Sequence, residues 1–253
     1  MDEKKLIQQW KKDEKAFFEG WDFSYLKGRW EEEKLKAGYL GLAQNLVMKS
    51  TSVLDMATGG GEIFSKIIND YKPQQIVAIE GYKPNVKVAK KNLGKFGVKV
   101  IFAKETKELP FKNEEFDLIL NRHGGLNEYS AKEIYRILST GGIFLTQQVD
   151  GRNLKDLMKE FNSKPKWQKN TLKNVRKYII DAEFKITKAH EWTGKVTFKD
   201  VGAIVYFLKA IPWIVDDFSV DKHLTILKKL HKKIEKEGSL SYASKRFIIL
   251  AEK

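Results

Sequence analysis

A glycine-rich turn in the first half of the chain carries the residue types best suited to binding a ligand. An apolar run that contains Asp55 leads into three consecutive glycines at 59–61, which the acidic Glu62 follows. Glycines let a backbone turn sharply and approach a ligand with no Cβ in the way. If the run is a strand of a parallel sheet, the turn lies at its carboxyl end, where ligands of such sheets bind.

The spacing of this turn excludes two common phosphate-binding motifs. A P-loop closes with Gly-Lys-Ser or Gly-Lys-Thr, whereas Glu62 stands where positive charge would help. A dinucleotide fingerprint needs G-x-G-x-x-G, but counting from Gly59 gives Gly61 and then Phe64, whose side chain would block close helix packing. Because Asp55 and Glu62 make the turn electronegative, it favours a ligand with a cationic centre over a pyrophosphate.

A second acid extends this pattern. Glu80 ends the apolar run 76–80, roughly 20 residues beyond the glycines, the separation at which an acid can accept hydrogen bonds from both ribose hydroxyls. A lone acid at a strand end is often only a solvated terminus. Its pairing with the glycine turn at this distance favours ribose binding.

Short β-branched runs alternate with helical stretches from residue 52 onward. The predicted strands are 53–56, 75–80, 98–103, 116–121, 142–149, 184–192 and 246–252. The predicted helices between them are 63–70, 84–94, 129–138 and 168–182. This alternation predicts an α/β fold: a Rossmann-like, seven-stranded, mostly parallel sheet with helices on both faces.

Helical additions are predicted at both ends of this pattern. Residues 2–18 form an amphipathic helix, an aromatic stretch follows to Trp30, and a second helix covers about 33–49. An apolar helix near 200–211 and a basic helix near 221–236 precede the last strand. We therefore expect an N-terminal helical and aromatic lid at 1–50. The domain proper is expected at 51–253, with a helical substrate-cap insertion at about 194–240.

Four segments in this order carry a resemblance to a known family. They are Leu54-Asp55-x-Ala57-x-Gly59-x-Gly61, the acid Glu80, the stretch 105–111, and 116–119 followed by 135–142. Together they resemble class I S-adenosylmethionine-dependent methyltransferases of the broad type 11 group, which includes ubiquinone and menaquinone methyltransferases. The resemblance implies S-adenosylmethionine as cofactor, S-adenosylhomocysteine as product, no metal, and a small-molecule acceptor.

The resemblance also implies a set of residues in contact with the cofactor. They are Asp55 at its amino group, Ala57, Gly59 and Gly61 along the turn, Glu80 at the ribose, Glu105 at the adenine with Tyr82 as a wall for its ring, and Thr106 and Asn121. The aromatic stretch that ends at Trp30 could form a lid from which Tyr25 and Arg29 reach the cofactor's carboxylate, or it could only pack the leading helices onto the sheet. Two residues depart from the family pattern. Ala57 stands at a glycine position, where its methyl would crowd the methionine end, and Glu105 replaces the usual Asp at the adenine.

Two residues after the fourth predicted strand are candidates for the reaction itself. His123 could act as a general base, since an unperturbed imidazole titrates near neutral pH, or it could only hydrogen-bond a neighbouring loop. Arg122 could bind an anionic substrate, or pair with a surface acid. Both alternatives stay open from the sequence.

Composition limits the function classes further. The chain of 253 residues has a net charge of +14, carried mostly by Lys, and contains no Cys. Cysteine nucleophiles, disulfides and Cys-ligated zinc are therefore excluded. The absence of a long apolar run or secretory signal predicts a cytoplasmic protein without a membrane partner. The charge keeps one alternative open, an RNA methyltransferase with a basic binding surface. Ala57 and the undecided role of His123 keep a second one open, a catalytically idle S-adenosylmethionine-binding module.

Overall fold

The computed structural model describes residues 2–19, 21–33, 38–104 and 107–253. The chain divides into two compact units. The first, here called the helical unit, comprises 1–34, 151–168 and 193–245; the second, the sheet unit, comprises 35–150, 169–192 and 246–253. The helical unit thus gathers residues from the predicted lid and the predicted insertion, while the predicted domain boundaries stay predictions.

The described residues form eight strands and nine α-helices. The strands are β1 (Trp30–Glu32), β2 (Ser52–Met56), β3 (Gln75–Glu80), β4 (Lys99–Phe102), β5 (Phe116–Arg122), β6 (Leu138–Val149), β7 (Lys185–Phe198) and β8 (Leu240–Glu252). The helices are α1 (Glu3–Lys15), α2 (Tyr39–Val47), α3 (Glu62–Ile67), α4 (Lys83–Gly94), α5 (Glu128–Ile137), α6 (Lys155–Glu160), α7 (Leu172–Asp181), α8 (Val201–Ala210) and α9 (Leu224–Glu237).

The predicted fold class is confirmed, with one strand more than expected. In the sheet unit, β4, β3, β2, β5 and β6 lie side by side in this order and pair in parallel, and β8 then pairs antiparallel with β6. The extra strand, β1, belongs to the helical unit, where Trp30 lies opposite Phe198 of β7. A strand of three residues is too short to show the alternation from which strands are predicted.

Several predicted boundaries shift. The second helix begins at Tyr39, and part of its predicted range, 34–37, lies outside the described residues. The helix predicted from residue 168 starts at Leu172 because the Thr171 side chain caps it by accepting from Asn174 N. Strand β7 continues to Phe198 instead of ending at 192. Helix α6 carries too few residues to show a helical period and was not predicted.

Alternation along the central strands places helices on both faces of the sheet unit. Val53 joins one hydrophobic cluster with residues of α2, α3 and α4, whereas Leu54 joins another with residues of α5 and α7. Successive side chains of a strand point to opposite faces. Each face therefore needs its own helical layer, as the alternation of strands and helices predicts.

Strand register fixes which side chains share the carboxyl edge of the sheet unit. Met56 of β2 lies opposite Ile79 of β3 and Asn121 of β5. The segments that follow these three strands consequently emerge at the same edge. The described residues contain no helix long and apolar enough to cross a membrane.

A buried charge cluster joins three segments of the helical unit. Arg29 donates from Nη1 to Asp13 Oδ1 at 2.9 Å and from Nη2 to Asp200 Oδ1 at 2.6 Å, while the Tyr25 hydroxyl donates to Asp13 Oδ1 at 2.8 Å. Asp13 is fully buried. Helix α8 approaches so closely that a Cβ on Gly202 would lie 2.0 Å from Asp13 Oδ2. The hydrogen bonds that Arg29 donates to Asp200, and then those to Asp13, raise its pKa, so the guanidinium stays charged.

We expect Asp13→Ala to destabilise the protein by about 3–5 kcal/mol, because it leaves a charged guanidinium without its buried partner. The free energy of unfolding in denaturant measures this. The matched control in the same unit is Asp221→Ala, which removes the exposed ion pair with Lys11 and should change stability by less than about 1 kcal/mol. Equal small effects of both variants would contradict the structural importance of the cluster.

Candidate active site

The glycine turn connects β2 to α3 through backbone conformations that favour glycine. Gly59 and Gly61 have φ angles of 62° and 81°, and Ala57 adopts 54°. A Cβ on Gly61 would lie 2.6 Å from Leu93 of α4, so only glycine fits between the turn and this helix. Ala57 lacks that freedom, since left-handed backbone is strained for a residue with a Cβ.

Glu80 holds this turn in place from the end of β3. Its Oε2 accepts from Gly59 N at 2.7 Å, and its Oε1 accepts from Tyr82 N at 2.8 Å. The side chain is buried. Each carboxylate oxygen can accept more than one hydrogen bond, so both oxygens keep capacity for hydroxyl donors of a ligand.

Hydrogen bonds within the turn also leave it unsuited to binding a phosphate. Gly59 N is taken by Glu80, and Gly61 N donates to the Thr58 carbonyl at 3.0 Å. A phosphate site needs backbone N–H groups that point at the anion. Here two of them are satisfied internally, one of them by a carboxylate that would repel a phosphate.

Asp55 lies one residue before the end of β2, between Ala78 of β3 and Leu120 of β5, and is buried. Its pKa is raised from 3.8 to about 7, chiefly by burial and to a smaller degree by the charge of Glu80, while the nearby Thr58 side chain and the charge of Arg122 act in the opposite direction. The carboxyl group is therefore poised between its two protonation states near neutral pH. A cation beside it would favour the ionised form.

Two buried hydroxyls at this edge make no hydrogen bond within the described part of the chain: Tyr39 Oη and Thr58 Oγ1. Burial, and then the charge of Asp55, raises the pKa of Tyr39, so its hydroxyl stays protonated. Buried polar groups are nearly always hydrogen-bonded, so unpartnered hydroxyls mark a place that a polar ligand can complete. Together with two carboxylates, they fit the amino group and ribose of an S-adenosyl ligand.

A second polar group occupies the ends of β5 and β6. Gln148 Nε2 donates to Asn121 Oδ1 and to Thr146 Oγ1, both at 2.8 Å. Asn121 Oδ1 also accepts from Gly124 N, and Gln148 Oε1 accepts from Gly125 N, both at 3.1 Å. This buried network fixes the loop after β5. Sequence reasoning missed its β6 members, although a polar Thr-Gln-Gln run inside an apolar strand was the available signal.

His123 lies in this loop with a φ of 64°. Like Ala57, it is a non-glycine residue in the left-handed region. The residue is exposed, yet the surrounding protein lowers its pKa well below the ordinary value, and the charges of Arg122 and Arg246 lower it further. His123 is thus uncharged at neutral pH. Its Nε2 lies 3.1 Å from Gln147 Nε2.

The two loops touch each other. A Cβ on Gly124 would lie 2.7 Å from the Ala57 Cβ and 3.0 Å from the Asn121 amide. The Ala57 methyl therefore faces the loop after β5. Its predicted crowding of the cofactor stays a prediction.

The remaining predicted site residues are Tyr25, Arg29, Tyr82, Glu105 and Thr106. Tyr82 is the residue before α4, with a side chain that is 63% exposed. Tyr25 and Arg29 belong to the helical unit, where both contact Asp13. Glu105 and Thr106 lie outside the described residues. Within residues 2–19, 21–33, 38–104 and 107–253, no group of three or more acids or histidines is placed to hold a metal ion.

The predicted residues that the sheet unit brings to its carboxyl edge are the following: Asp55, Ala57, Gly59, Gly61, Glu80, Asn121, Arg122 and His123. Tyr39 also lies at this edge. The sequence did not indicate it, because a tyrosine in an apolar helix has the pattern of a core residue. Its role is visible only from the unpartnered hydroxyl.

Comparison with solved structures finds the same fold in other proteins. A candidate methyltransferase from Bacillus halodurans C-125 is 19% identical with a TM-score of 0.59, covering 85% of this chain and 98% of its own. The YcgJ protein from Bacillus subtilis is 17% identical with a TM-score of 0.60, covering 85% and 97%. The [4+2]-cyclase SpnF is 15% identical with a TM-score of 0.53, covering 98% and 92%.

Sequence comparison identifies the family. No curated protein matches this sequence significantly. The sequence profile described as "Methyltransferase domain" matches residues 48–200, more than half of the chain, and includes the glycine turn, Glu80 and the loop after β5. The chain therefore belongs to the methyltransferase domain family, as a class I S-adenosylmethionine-dependent methyltransferase.

Proposed function

We propose that this protein transfers the methyl group of S-adenosylmethionine to an O, N or C atom of a small-molecule acceptor and releases S-adenosylhomocysteine. The observation that carries the proposal is the Glu80 carboxylate, which ties down Gly59 and Tyr82 at the edge of the sheet. The carboxylate oxygens can accept hydrogen bonds from ribose hydroxyls, and because they already engage the backbone N–H groups, those groups are not available to a phosphate. The family match supports the methyl transfer itself.

Each end of the cofactor has a counterpart among the residues of the sheet unit. The Glu80 oxygens are proposed to accept from the ribose hydroxyls. Asp55 is proposed to hold the amino group, with the Thr58 and Tyr39 hydroxyls completing its hydrogen bonds. Tyr82 is proposed as a wall for the adenine, where the sequence also predicts Glu105 and Thr106.

When bound, S-adenosylmethionine supplies a methyl group made electrophilic by the sulfonium. The protein then needs to supply orientation and no nucleophile of its own, and orientation alone has large rate leverage. The network of Gln148, Asn121 and Thr146 supports this role because it immobilises the loop beside Ala57. Arg122, the last residue of β5, and His123, in that loop, are the proposed acceptor-side residues.

Charge pairing in the helical unit favours a small acceptor over RNA. The lysine-rich helix α9 engages acids of its own unit: Lys228 pairs with Glu3, and Lys229 and Lys233 pair with Glu160. A lysine already paired with a carboxylate contributes less to the phosphate contacts on which RNA binding depends. RNA methylation stays an alternative that a transfer assay separates.

A calorimetric titration with S-adenosylhomocysteine tests the cofactor site. The unchanged protein should bind it, and Glu80→Gln should weaken binding at least tenfold, because one amide oxygen cannot accept from the turn and both ribose hydroxyls. The matched control is Glu128→Gln, an exposed acid on α5 with the same change in charge, which should leave affinity unchanged. No binding to the unchanged protein would overturn the proposal.

A transfer assay tests the reaction. With methyl-labelled S-adenosylmethionine and a cell extract separated by size, we expect label in the small-molecule fraction. It should disappear with Glu80→Gln and persist with Glu128→Gln. Label in RNA alone would favour the alternative acceptor, and no label in any fraction would favour an idle binding module.

The raised pKa of Asp55 predicts a dependence of stability on pH. The folded protein holds this proton up to about pH 7, whereas an unfolded aspartate releases it near 3.8. The free energy of unfolding should therefore fall as pH rises from about 4 to about 7, relative to Asp55→Asn, by on the order of a few kcal/mol. Parallel pH profiles of the two proteins would show that burial of Asp55 does not perturb it.

A further inference from the structure

The loop after β5 and the end of β6 hold an imidazole and an amide together. His123 N donates to the Gln147 carbonyl at 2.8 Å, which fixes the backbone of the loop against β6. The His123 Nε2 lies 3.1 Å from the Gln147 side-chain nitrogen, within hydrogen-bonding distance. Gln147 is buried, whereas His123 is exposed. Gln147 is thus held inside the protein, whereas His123 can be reached from solvent.

The chemistry of this contact determines where the imidazole carries its proton. The nitrogen of a glutamine side chain is an NH2 group, which donates two hydrogen bonds and accepts none. With the Gln147 amide in this orientation, Nε2 of His123 is the acceptor. In a neutral imidazole one nitrogen accepts and the other carries the proton, which places the proton on Nδ1.

The surroundings keep the ring uncharged. Surrounding protein lowers the pKa of His123, and the guanidinium groups of Arg122 from β5 and Arg246 from β8 add repulsion for an imidazolium. A neutral ring whose only lone pair is engaged by Gln147 has no free site for another proton. Its remaining function is that of an N–H donor.

We propose that Gln147 is a positioning residue that holds His123 in the Nδ1–H form, so that the ring donates a hydrogen bond to the methyl acceptor instead of taking a proton from it. The link to an acceptor rests on the proposed function. The assignment of the ring does not, because it concerns the protein alone.

The proposal narrows the class of acceptor. If His123 removes no proton, the attacking atom must present a lone pair by itself, as a carboxylate oxygen or an unprotonated amine nitrogen does. For a carboxylate, the oxygen forms the new bond to the methyl carbon, and the carbon–sulfur bond breaks with its electron pair remaining on sulfur. The products are a methyl ester and a neutral thioether, and no proton moves.

Nuclear magnetic resonance of the 15N-labelled full chain tests the assignment without any ligand. Long-range proton–nitrogen spectra distinguish the two neutral forms of a histidine and its charged form. The protein has four histidines, and His123→Gln identifies the signals of His123 by their loss. We expect the Nδ1–H pattern, unchanged between pH 5.5 and 8. The control His190→Gln, on β7, should leave that pattern as it is.

A variant that replaces the donor at Gln147 by an acceptor provides the second part of the test. In Gln147→Glu a carboxylate stands where the NH2 group was, and it accepts where the amide donated. The ring should switch to the Nε2–H form, and its pKa should rise by at least one unit. Gln147→Leu removes the contact altogether and should lose the Nδ1–H preference while the ring stays uncharged.

An Nε2–H pattern in the unchanged protein, or a titration of His123 near pH 6.5, would overturn the proposal, as would a folded Gln147→Glu protein that keeps the Nδ1–H form. Calorimetry with S-adenosylhomocysteine on the same samples separates the two claims. Failure to bind it defeats the proposed cofactor site, whereas the nitrogen pattern alone decides the role of Gln147.

Discussion

The carboxylate of Glu80 is the constraint on which the rest of the site depends. It accepts hydrogen bonds from the turn after β2 and from the chain just beyond β3, so a single side chain fixes two loops. Bonds from N–H groups to a carboxylate are stronger than those between neutral groups. A backbone N–H left buried without a partner costs about 1–3 kcal/mol, so the loops have little freedom to rearrange. The proposed choice of a ribose over a phosphate rests on this arrangement.

The neighbouring loop is organised by a different device, a chain of neutral amides. Gln148, Asn121 and Thr146 satisfy one another and hold two backbone N–H groups. Backbone strain is also present at this edge, since Ala57 and His123 both adopt positive φ angles without being glycine. Such strain persists only where surrounding contacts enforce it, and it is typical of functional sites. The edge therefore combines an acidic side, which we propose binds the cofactor, with a neutral amide side, which we propose faces the acceptor.

Sequence patterns sufficed for features that depend on local spacing. The alternation of strands and helices, the glycine turn and the acid at the end of β3 all lie within short windows, and the fold class followed from them. Features that depend on residues distant in sequence were not predicted. The bond between Arg29 and Asp200 joins positions 171 residues apart, and the unpartnered hydroxyl of Tyr39 has no signature in the apolar helix that carries it. The amides of β6 were not predicted, because the end of this strand forms a site only together with β5 and the loop that follows β5.

The central claim is that Glu80 holds a ribose while it keeps its bond to the glycine turn. A crystal structure of the complex with S-adenosylhomocysteine tests it most directly. The account predicts both ribose hydroxyl oxygens at about 2.6–3.0 Å from the Glu80 oxygens, with Gly59 N still donating to the same carboxylate. A nucleoside bound away from Glu80, or a carboxylate that has released Gly59 to make room for the ligand, would contradict it.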